Sequence, residues 1–250
     1  MLGPLGFFEE DSQMSRFLLI TTLAAALTCS LHAQQPSSTT PQTGRGAAPR
    51  VTRPALFFSE EWRQTPAGDE HPVTQQSVAN PALELKLYGT TAKEIQLTGA
   101  AGNENNPIHV WTGMCTTPCA VALKHKANYA DLTGLARIRW NTKTSGFHQI
   151  RPIVKLADGT WLVGDYADGT TRDWLVSEFS LADVRWLRLD VERVVTTGNI
   201  VERPDLSKVD EIGFADLMPG SGHGPGGWSD VAQIDVYGKA VPRQGASTAQ

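Results

Sequence analysis

The 250-residue sequence lacks every short motif that would identify a common enzyme class. It contains no nucleophile elbow, phosphate-binding loop, dinucleotide-binding fingerprint or HExxH helix. Its histidines form no HxH or HxxxH pair, which removes the usual signatures of a zinc site. Function must therefore be inferred from aromatic residues near loops and from the cell compartment.

The sequence also lacks a concentration of positive charge. The formal net charge is −4, and no stretch interleaves basic residues with aromatic ones. Nucleic-acid binding depends on such basic surfaces, so nucleic acid is excluded as the expected partner. No amphipathic basic helix is present either, which argues against binding to a membrane surface.

Cysteine is scarce, with three residues in the whole chain. Cys29 lies in a predicted export signal, which leaves Cys115 and Cys119 in the segment MCTTPCA. An even number of cysteines in an oxidising compartment favours a disulfide. Pro118 can turn the short loop so that the Cα atoms come within the roughly 4.4 to 6.8 Å that the bond requires. A zinc site would need two more ligands, and no second Cys or His pair supplies them.

Residues 14–33 read MSRFLLITTLAAALTCSLHA and predict a secretory signal peptide. The basic Arg16 precedes an apolar core over residues 17–27, and a small residue ends the segment. We expect cleavage after Ala33 and a secreted or periplasmic mature protein, with no membrane attachment once the signal is removed.

Two alternatives concern the same N-terminal segment. A membrane anchor would need roughly 20 apolar residues, whereas this apolar core is about half that length. Lipidation at Cys29 is disfavoured because Ala-Leu-Thr before it matches the usual Leu-Ala-Gly pattern poorly. Residues 1–13 carry three acids and do not resemble an export signal, so we interpret Met14 as the true start.

The mature chain is predicted to form a single domain over residues 54–241. Residues 34–53 are rich in Ser, Thr, Pro, Gln and Gly and cannot bury enough apolar surface to offset the entropy of ordering. We therefore interpret them as a flexible linker, and residues 242–250 as a similar tail. The remaining length fits one domain with one core.

A β-hairpin is predicted at the centre of this domain. Apolar residues alternate from Ile150 to Leu156, and they resume at Trp161 and Val163. Asp158-Gly159 lies between the two runs, and Asp-Gly between alternating segments is a strong hairpin signal.

Further strands are predicted on both sides of the hairpin. The expected strands cover residues 83–88, 94–98, 108–111, 120–125, 136–140, 187–191 and 231–237, with a loop over residues 99–106. No segment longer than about ten residues keeps a helical period of 3.6. The predicted fold class is therefore all-β, an antiparallel β-sandwich or jelly roll.

Several segments of the sequence resemble those of a known family. DLTGLARIRWNT, the hairpin around LADGTW, DLSKVDEIGF and the terminal IDVYG are similar to the galactose-binding-like jelly roll of many carbohydrate-binding modules. The complex I intermediate-associated protein family has a similar order of strands. The resemblance implies a carbohydrate ligand and no required cofactor. Such modules often carry a structural calcium where the first and last strands meet, and Glu60, Glu61 and Asp235 are the candidate ligands here.

Tryptophan is the most promising residue type for a saccharide site, because a sugar's apolar face stacks on an indole while its hydroxyl groups seek polar side chains. The chain has seven tryptophans. Trp140 and Trp186 fall within predicted strands and are interpreted as core residues. The binding candidates border loops or follow a turn, and they are Trp111, Trp161, Trp174 and Trp228.

The glycine-rich loop over residues 219–228 is the predicted centre of the site. It contains His223 among small residues and ends at Trp228. Glycines let backbone amides approach a ligand closely. We expect Asp165, near the central hairpin, to contribute to the same surface with Trp161. A connector whose Trp228 merely fills the end of the sandwich is the alternative.

We therefore predict an exported, monomeric and non-catalytic carbohydrate-binding protein. A small polysaccharide hydrolase or lyase on the same fold is one alternative, since several acidic residues lie near loops. A structural or adhesion module is another. No catalytic residue is assigned, because acidic residues at turns mostly bind nearby backbone or solvent.

Overall fold

A computed structural model of the protein describes residues 52–243. Within this range the chain forms sixteen β-strands and three 3₁₀ helices of three residues each, and it contains no α-helix. Over the same residues no helix has the length and apolar character needed to cross a membrane. The predicted signal peptide and most of the predicted linker lie outside the described residues.

The strands, in chain order, are β1 (Leu56–Glu60), β2 (His71–Pro72), β3 (Leu83–Tyr88), β4 (Gln96–Thr98), β5 (His109–Trp111), β6 (Cys119–His125), β7 (Asn128–Asp131), β8 (Arg137–Thr144), β9 (Ile150–Leu156), β10 (Trp161–Gly164), β11 (Leu175–Ser180), β12 (Trp186–Asp190), β13 (Val195–Val201), β14 (Val209–Asp216), β15 (Ser229–Tyr237) and β16 (Lys239–Pro242).

These strands form two sheets in which every strand pairing is antiparallel. Sheet A has seven strands in the order β11-β8-β15-β5-β4-β2, with β1 also paired to β15. Sheet B has nine strands in the order β13-β12-β10-β9-β14-β6-β3, extended by β7 and β16. The predicted all-β antiparallel sandwich is confirmed.

The main core lies between the two sheets. Ile138 and Trp140 of β8 and Ile234 of β15 are at most 1% exposed, and Val154 and Leu162 of sheet B are fully buried in the same cluster. The intervening residues point to the opposite, outer face of each sheet, since side chains alternate along a strand. Fully burying one such apolar side chain contributes roughly 1.5–3 kcal/mol to the stability of the folded protein.

The central hairpin forms as predicted. β9 and β10 pair with Val154 opposite Leu162. The turn is closed by the Asp158 carboxylate, which accepts a hydrogen bond from the Thr160 amide at 2.8 Å. Gly159 has a φ of 90°, a backbone conformation that a side chain would strain, so glycine is required there.

Some elements differ from the sequence-based expectation. In the predicted strand over residues 94–98, Glu94 ends a 3₁₀ helix, and only Gln96–Thr98 forms a strand. β13 was not predicted, because most of its residues are exposed and apolar alternation is absent. The last strand runs to Pro242, and the guanidinium of Arg243 donates to the Asp210 carboxylate. Pro242 and Arg243, which lie beyond the predicted boundary at Val241, thus take part in contacts of the fold.

Candidate functional site

A cleft of about 320 Å³ lies on the outer face of sheet A. Its floor is a row of neighbouring strands, because Asp230 of β15 pairs with Lys143 of β8 on one side and with Trp111 of β5 on the other. These side chains share the outer face, since they alternate with buried core residues. The other lining residues are Glu70, Thr98, Asn106, His109, Gly222, His223 and Trp228.

The glycine-rich loop over residues 219–228 forms one wall of this cleft, and hydrogen bonds hold it in place. The amide of Gly220 donates to the Cys115 carbonyl at 2.7 Å, and the amide of Gly222 donates to the Gly113 carbonyl at 2.7 Å. A Cβ at Gly220 would collide with the Gly113 carbonyl, so only glycine allows this close approach. The loop is therefore fastened to the neighbouring loop that follows β5.

The disulfide lies within that neighbouring loop. Cys115 and Cys119 are bonded, with their Cα atoms 6.4 Å apart, so the predicted pairing is confirmed. Both cysteines are fully buried. The bond shapes the segment whose Cys115 carbonyl supports the glycine-rich loop, and it thereby acts on the wall of the cleft.

Three of the predicted binding residues line this cleft. The ring of His223 lies 5.0 Å from that of Trp111, and its Nε2 is 3.2 Å from a Glu70 carboxylate oxygen. Trp228 is half-buried, and its indole N–H donates to Oδ2 of Asp230 at 3.2 Å. Trp111 is 6% exposed and packs beneath His223. The predicted group of Trp111, His223 and Trp228 is thus brought together.

Asp230 is the buried carboxyl group of the cleft. It is 5% exposed, and its Oδ1 has no hydrogen-bond partner among the described residues. Burial raises its pKa to about 7, against the opposing effects of the Trp228 indole and the Lys143 charge. The group is consequently protonated below neutral pH, and Oδ1 is available to a bound molecule.

His109 faces Asp230 across the floor of the cleft. Its Nε2 lies 3.5 Å from Oδ1 of Asp230, and its Nδ1 lies 2.7 Å from the Pro107 carbonyl. The proton therefore resides on Nδ1. Burial lowers the pKa of His109 to about 4, partly countered by the bond to Pro107. His109 is neutral at pH 7, so the pair is not an ion pair despite its short distance.

Trp174 lies beside the cleft, next to the lining residue His109. Its indole N–H donates to the Asn105 carbonyl at 3.3 Å, and its ring makes an edge contact with His109 at 5.0 Å between centroids. The segment before β11 thus reaches the loop that precedes β5. Trp174, one of the predicted binding residues, thus borders the cleft and is not among the residues that line it.

Trp161 and Asp165 lie elsewhere, so the structure does not bring them to the expected surface. Trp161 is on β10 of sheet B, where it packs edge-on against Tyr88 in a second, smaller apolar cluster. Asp165 binds Arg185, with its Oδ2 at 2.7 Å from the guanidinium Nε. The hairpin belongs to sheet B, whereas the cleft lies on the outer face of sheet A, which separates the two.

The three calcium candidates have other partners. The Glu60 carboxylate accepts hydrogen bonds from the amides of Trp62, Ala79 and Asn80. Glu61 and Asp235 both accept from the side-chain amide of Gln233. Between residues 52 and 243, no group of three or more His, Cys, Asp or Glu side chains is arranged to hold a metal ion.

Sequence reasoning missed the polar floor of the cleft. His109 and Asp230 looked like a lone histidine and one of many acids near loops. The only local signal is that each lies at an alternating position of a short strand, beside Val110 or Val231. Their proximity depends on the pairing of β15 with β5, which no local pattern reveals.

Comparisons with known proteins give likenesses of structure alone. No protein-family model and no curated protein matches the chain. A family 11 carbohydrate-binding module from Clostridium thermocellum, in complex with a β-1,3-1,4-mixed-linked tetrasaccharide, is 19% identical over 70% of this chain and 98% of its own, with a TM-score of 0.43.

Two other solved structures are similar to this chain. A family 61 carbohydrate-binding module in complex with β-1,4-galactotriose is 13% identical over 62% of this chain and 88% of its own, with a TM-score of 0.34. A mutant of a family 29 carbohydrate-binding module, complexed with cellulohexaose, is 12% identical over 64% of this chain and 94% of its own, with a TM-score of 0.35. The chain is thus similar to carbohydrate-binding modules, and the similarity assigns it no ligand.

Proposed function

We propose that this protein binds an oligosaccharide or polysaccharide, without altering it, in the cleft on the outer face of sheet A. The observation that carries the proposal is the half-buried indole of Trp228 beside the unpartnered Oδ1 of Asp230 and the Lys143 ammonium group. A sugar ring has an apolar face that stacks on an indole and hydroxyl groups that bind such polar atoms. The cleft offers both within one small volume.

We further propose that the protein acts after export. The predicted signal peptide motivates this proposal, and the disulfide between Cys115 and Cys119 supports it, because disulfides persist in oxidising compartments. Export would place the cleft where extracellular or periplasmic polysaccharides are found.

Affinity electrophoresis of the purified protein tests saccharide binding. Suitable first probes are a mixed-linkage β-glucan, a β-1,4-galactan and cello-oligosaccharides, which extend the sugars seen in the similar structures. Trp228→Ala combined with His223→Ala should abolish retardation while the thermal melt stays unchanged. Phe147→Ala is the matched control, because Phe147 is an aromatic residue 87% exposed outside the cleft.

Two results would count against the proposal. Retardation that persists in the double variant would place the ligand elsewhere. A lowered melting temperature with unchanged retardation would assign Trp228 to the support of the fold. If no saccharide binds and no product forms, a structural or adhesion role would be favoured instead.

One observation favours a second candidate, a polysaccharide hydrolase. Asp230 has a pKa raised to about 7 by burial, as a general acid requires, and Glu70 is a second carboxylate in the same cleft. Asp230 would donate its proton to the glycosidic oxygen as the C–O bond breaks. Glu70 would accept a proton from the water molecule whose oxygen bonds to the anomeric carbon.

A reducing-sugar assay separates the two candidates. Binding without new reducing ends supports the non-catalytic function. If reducing ends accumulate, Asp230→Asn should abolish their formation while binding is retained. Product formation that survives in this variant would exclude Asp230 as the acid.

A further inference from the structure

We propose that the cleft accommodates the end of a saccharide chain rather than its interior, a proposal that rests on the saccharide-binding function above. The proposal rests on the side chains that border the cleft. A chain bound through its interior needs a groove that is open at both ends, because the chain continues on either side of the bound residues. The outer face of sheet A is instead divided by side chains.

Trp174 forms the first barrier. It comes just before β11, and in sheet A the strands β8 and β15 separate β11 from β5. Its ring nevertheless contacts His109 of β5 at 5.0 Å. The indole therefore reaches from the β11 side toward β5, beside the row formed by Lys143, Asp230 and Trp111.

The loop between β4 and β5 completes this barrier. Its Asn105 carbonyl accepts the hydrogen bond from Trp174. The same loop lines two separate depressions of the outer face. Asn106 contributes to the cleft, whereas Gly102 and Pro107 line a neighbouring depression of about 310 Å³ that also contains Asn141 and Gln233. The loop between β4 and β5 thus lies between the cleft and this depression.

His223 and Glu70 form the opposite barrier. The His223 ring covers Trp111, and its Nε2 approaches Glu70 to 3.2 Å, so the glycine-rich loop is linked to the segment before β2. The cleft volume of about 320 Å³ lies at the lower end of the roughly 300–1,000 Å³ of small-molecule sites. It suits a short saccharide unit between two walls.

The polar floor supplies a chemical reason for selecting an end. A terminal sugar carries one hydroxyl group that an internal sugar has converted into a glycosidic linkage. Oδ1 of Asp230 is buried without a hydrogen-bond partner, and Lys143, whose charge acts on Asp230, lines the same cleft. A site built to bind a hydroxyl group rejects an analogue that lacks it, because buried polar atoms are then left unpaired.

Isothermal titration calorimetry on chains of different length tests the proposal. The probes are a soluble mixed-linkage β-glucan and a β-1,4-galactan, each intact and after limited acid hydrolysis. If ends are bound, the number of protein molecules bound per gram should rise in proportion to the number of chain ends. Sites per gram that stay constant on hydrolysis would show interior binding and overturn the proposal while leaving saccharide binding intact.

Two variants test whether Trp174 itself limits binding to chain ends. Trp174→Ala should open the barrier. The number of protein molecules bound per gram of intact polymer should then increase, and it should differ less between the intact and the hydrolysed polymer. Leu175→Ala is the matched control, since this neighbouring residue is 40% exposed and should leave the stoichiometry unchanged. An unaltered stoichiometry in Trp174→Ala would refute the role of this wall. Failure of both polymers and their hydrolysates to bind would overturn the saccharide function itself.

Discussion

Asp230 and His109 are two buried titratable groups with opposite effects on the pH dependence of stability. The pKa of Asp230 is raised from 3.8 to about 7, so the folded state binds a proton more tightly and stability falls as pH rises from about 4 to 7. The pKa of His109 is lowered from 6.5 to about 4, so stability rises over about pH 4 to 6.5. The two effects largely cancel in the native protein.

Single substitutions should expose each effect. Asp230→Asn is expected to make the free energy of unfolding increase with pH between about 4 and 6.5, relative to the native protein. His109→Asn should make it decrease between about 4 and 7. Urea unfolding at a series of pH values measures both. Parallel pH profiles for the native protein and both variants would contradict the assignment of the shifts.

Asp168 looks like a turn residue in the sequence, but its carboxylate is buried in the structure. It is 7% exposed, and its carboxylate accepts hydrogen bonds from Trp140, Thr142, Tyr166 and Ser177. The Asp168-Gly169 pair looks like an ordinary turn in the sequence. In the structure its carboxylate satisfies donors from both β8 and β11.

Removal of this carboxylate should therefore be costly. Asp168→Ala leaves the buried Trp140 indole and Thr142 hydroxyl without their acceptor, and it should lower the free energy of unfolding by about 3 kcal/mol. Chemical denaturation measures the loss. Asp183→Ala, at an exposed acid, is the control and should change stability little. Equal effects of the two substitutions would contradict the role of Asp168.

At the scale of elements, the disulfide loop and the glycine-rich loop act together. The disulfide closes a short loop, because its cysteines have a sequence separation of 4. The reduced entropy of the unfolded chain therefore stabilises the folded protein by only about 2 kcal/mol. Its carbonyl contact to Gly220 links it to the wall that carries His223. The bond should therefore affect ligand binding more than folding.

The double variant Cys115→Ala with Cys119→Ala tests this coupling. We expect a several-fold loss of saccharide affinity with a small drop in melting temperature, because the support of the glycine-rich loop is relaxed. Reduction of the native protein should reproduce the loss, whereas the same reductant should not affect the double variant. Native affinity in the double variant would show that the glycine-rich loop is held independently of the disulfide.

At the scale of the whole molecule, export remains a prediction. Residues 14–33 lie outside the described part of the chain, and cleavage after Ala33 is expected from their charge and apolar pattern. Mass spectrometry of protein recovered from the periplasm or medium should show Gln34 at the N-terminus. Exported material that begins at Met1 or Met14 would disprove cleavage. The monomeric state is likewise a prediction, which light scattering can check.

The sequence by itself determined the β-sandwich, the central hairpin and the disulfide. Each depends on local chemistry: alternation with a period of two residues, Asp158-Gly159 in a tight turn, and two cysteines separated by three residues. It also located the glycine-rich loop with His223 and Trp228. These features need no knowledge of which strands become neighbours.

Only the tertiary structure decided the composition of the cleft. Trp111, Lys143 and Asp230 are far apart in sequence and become neighbours through the pairing of β5, β15 and β8. Trp161 carries the same stacking group as Trp228 but belongs to the other sheet. Strand order and register arise from long-range pairing, in which a one-residue shift sends every side chain to the opposite face, and local patterns do not encode them.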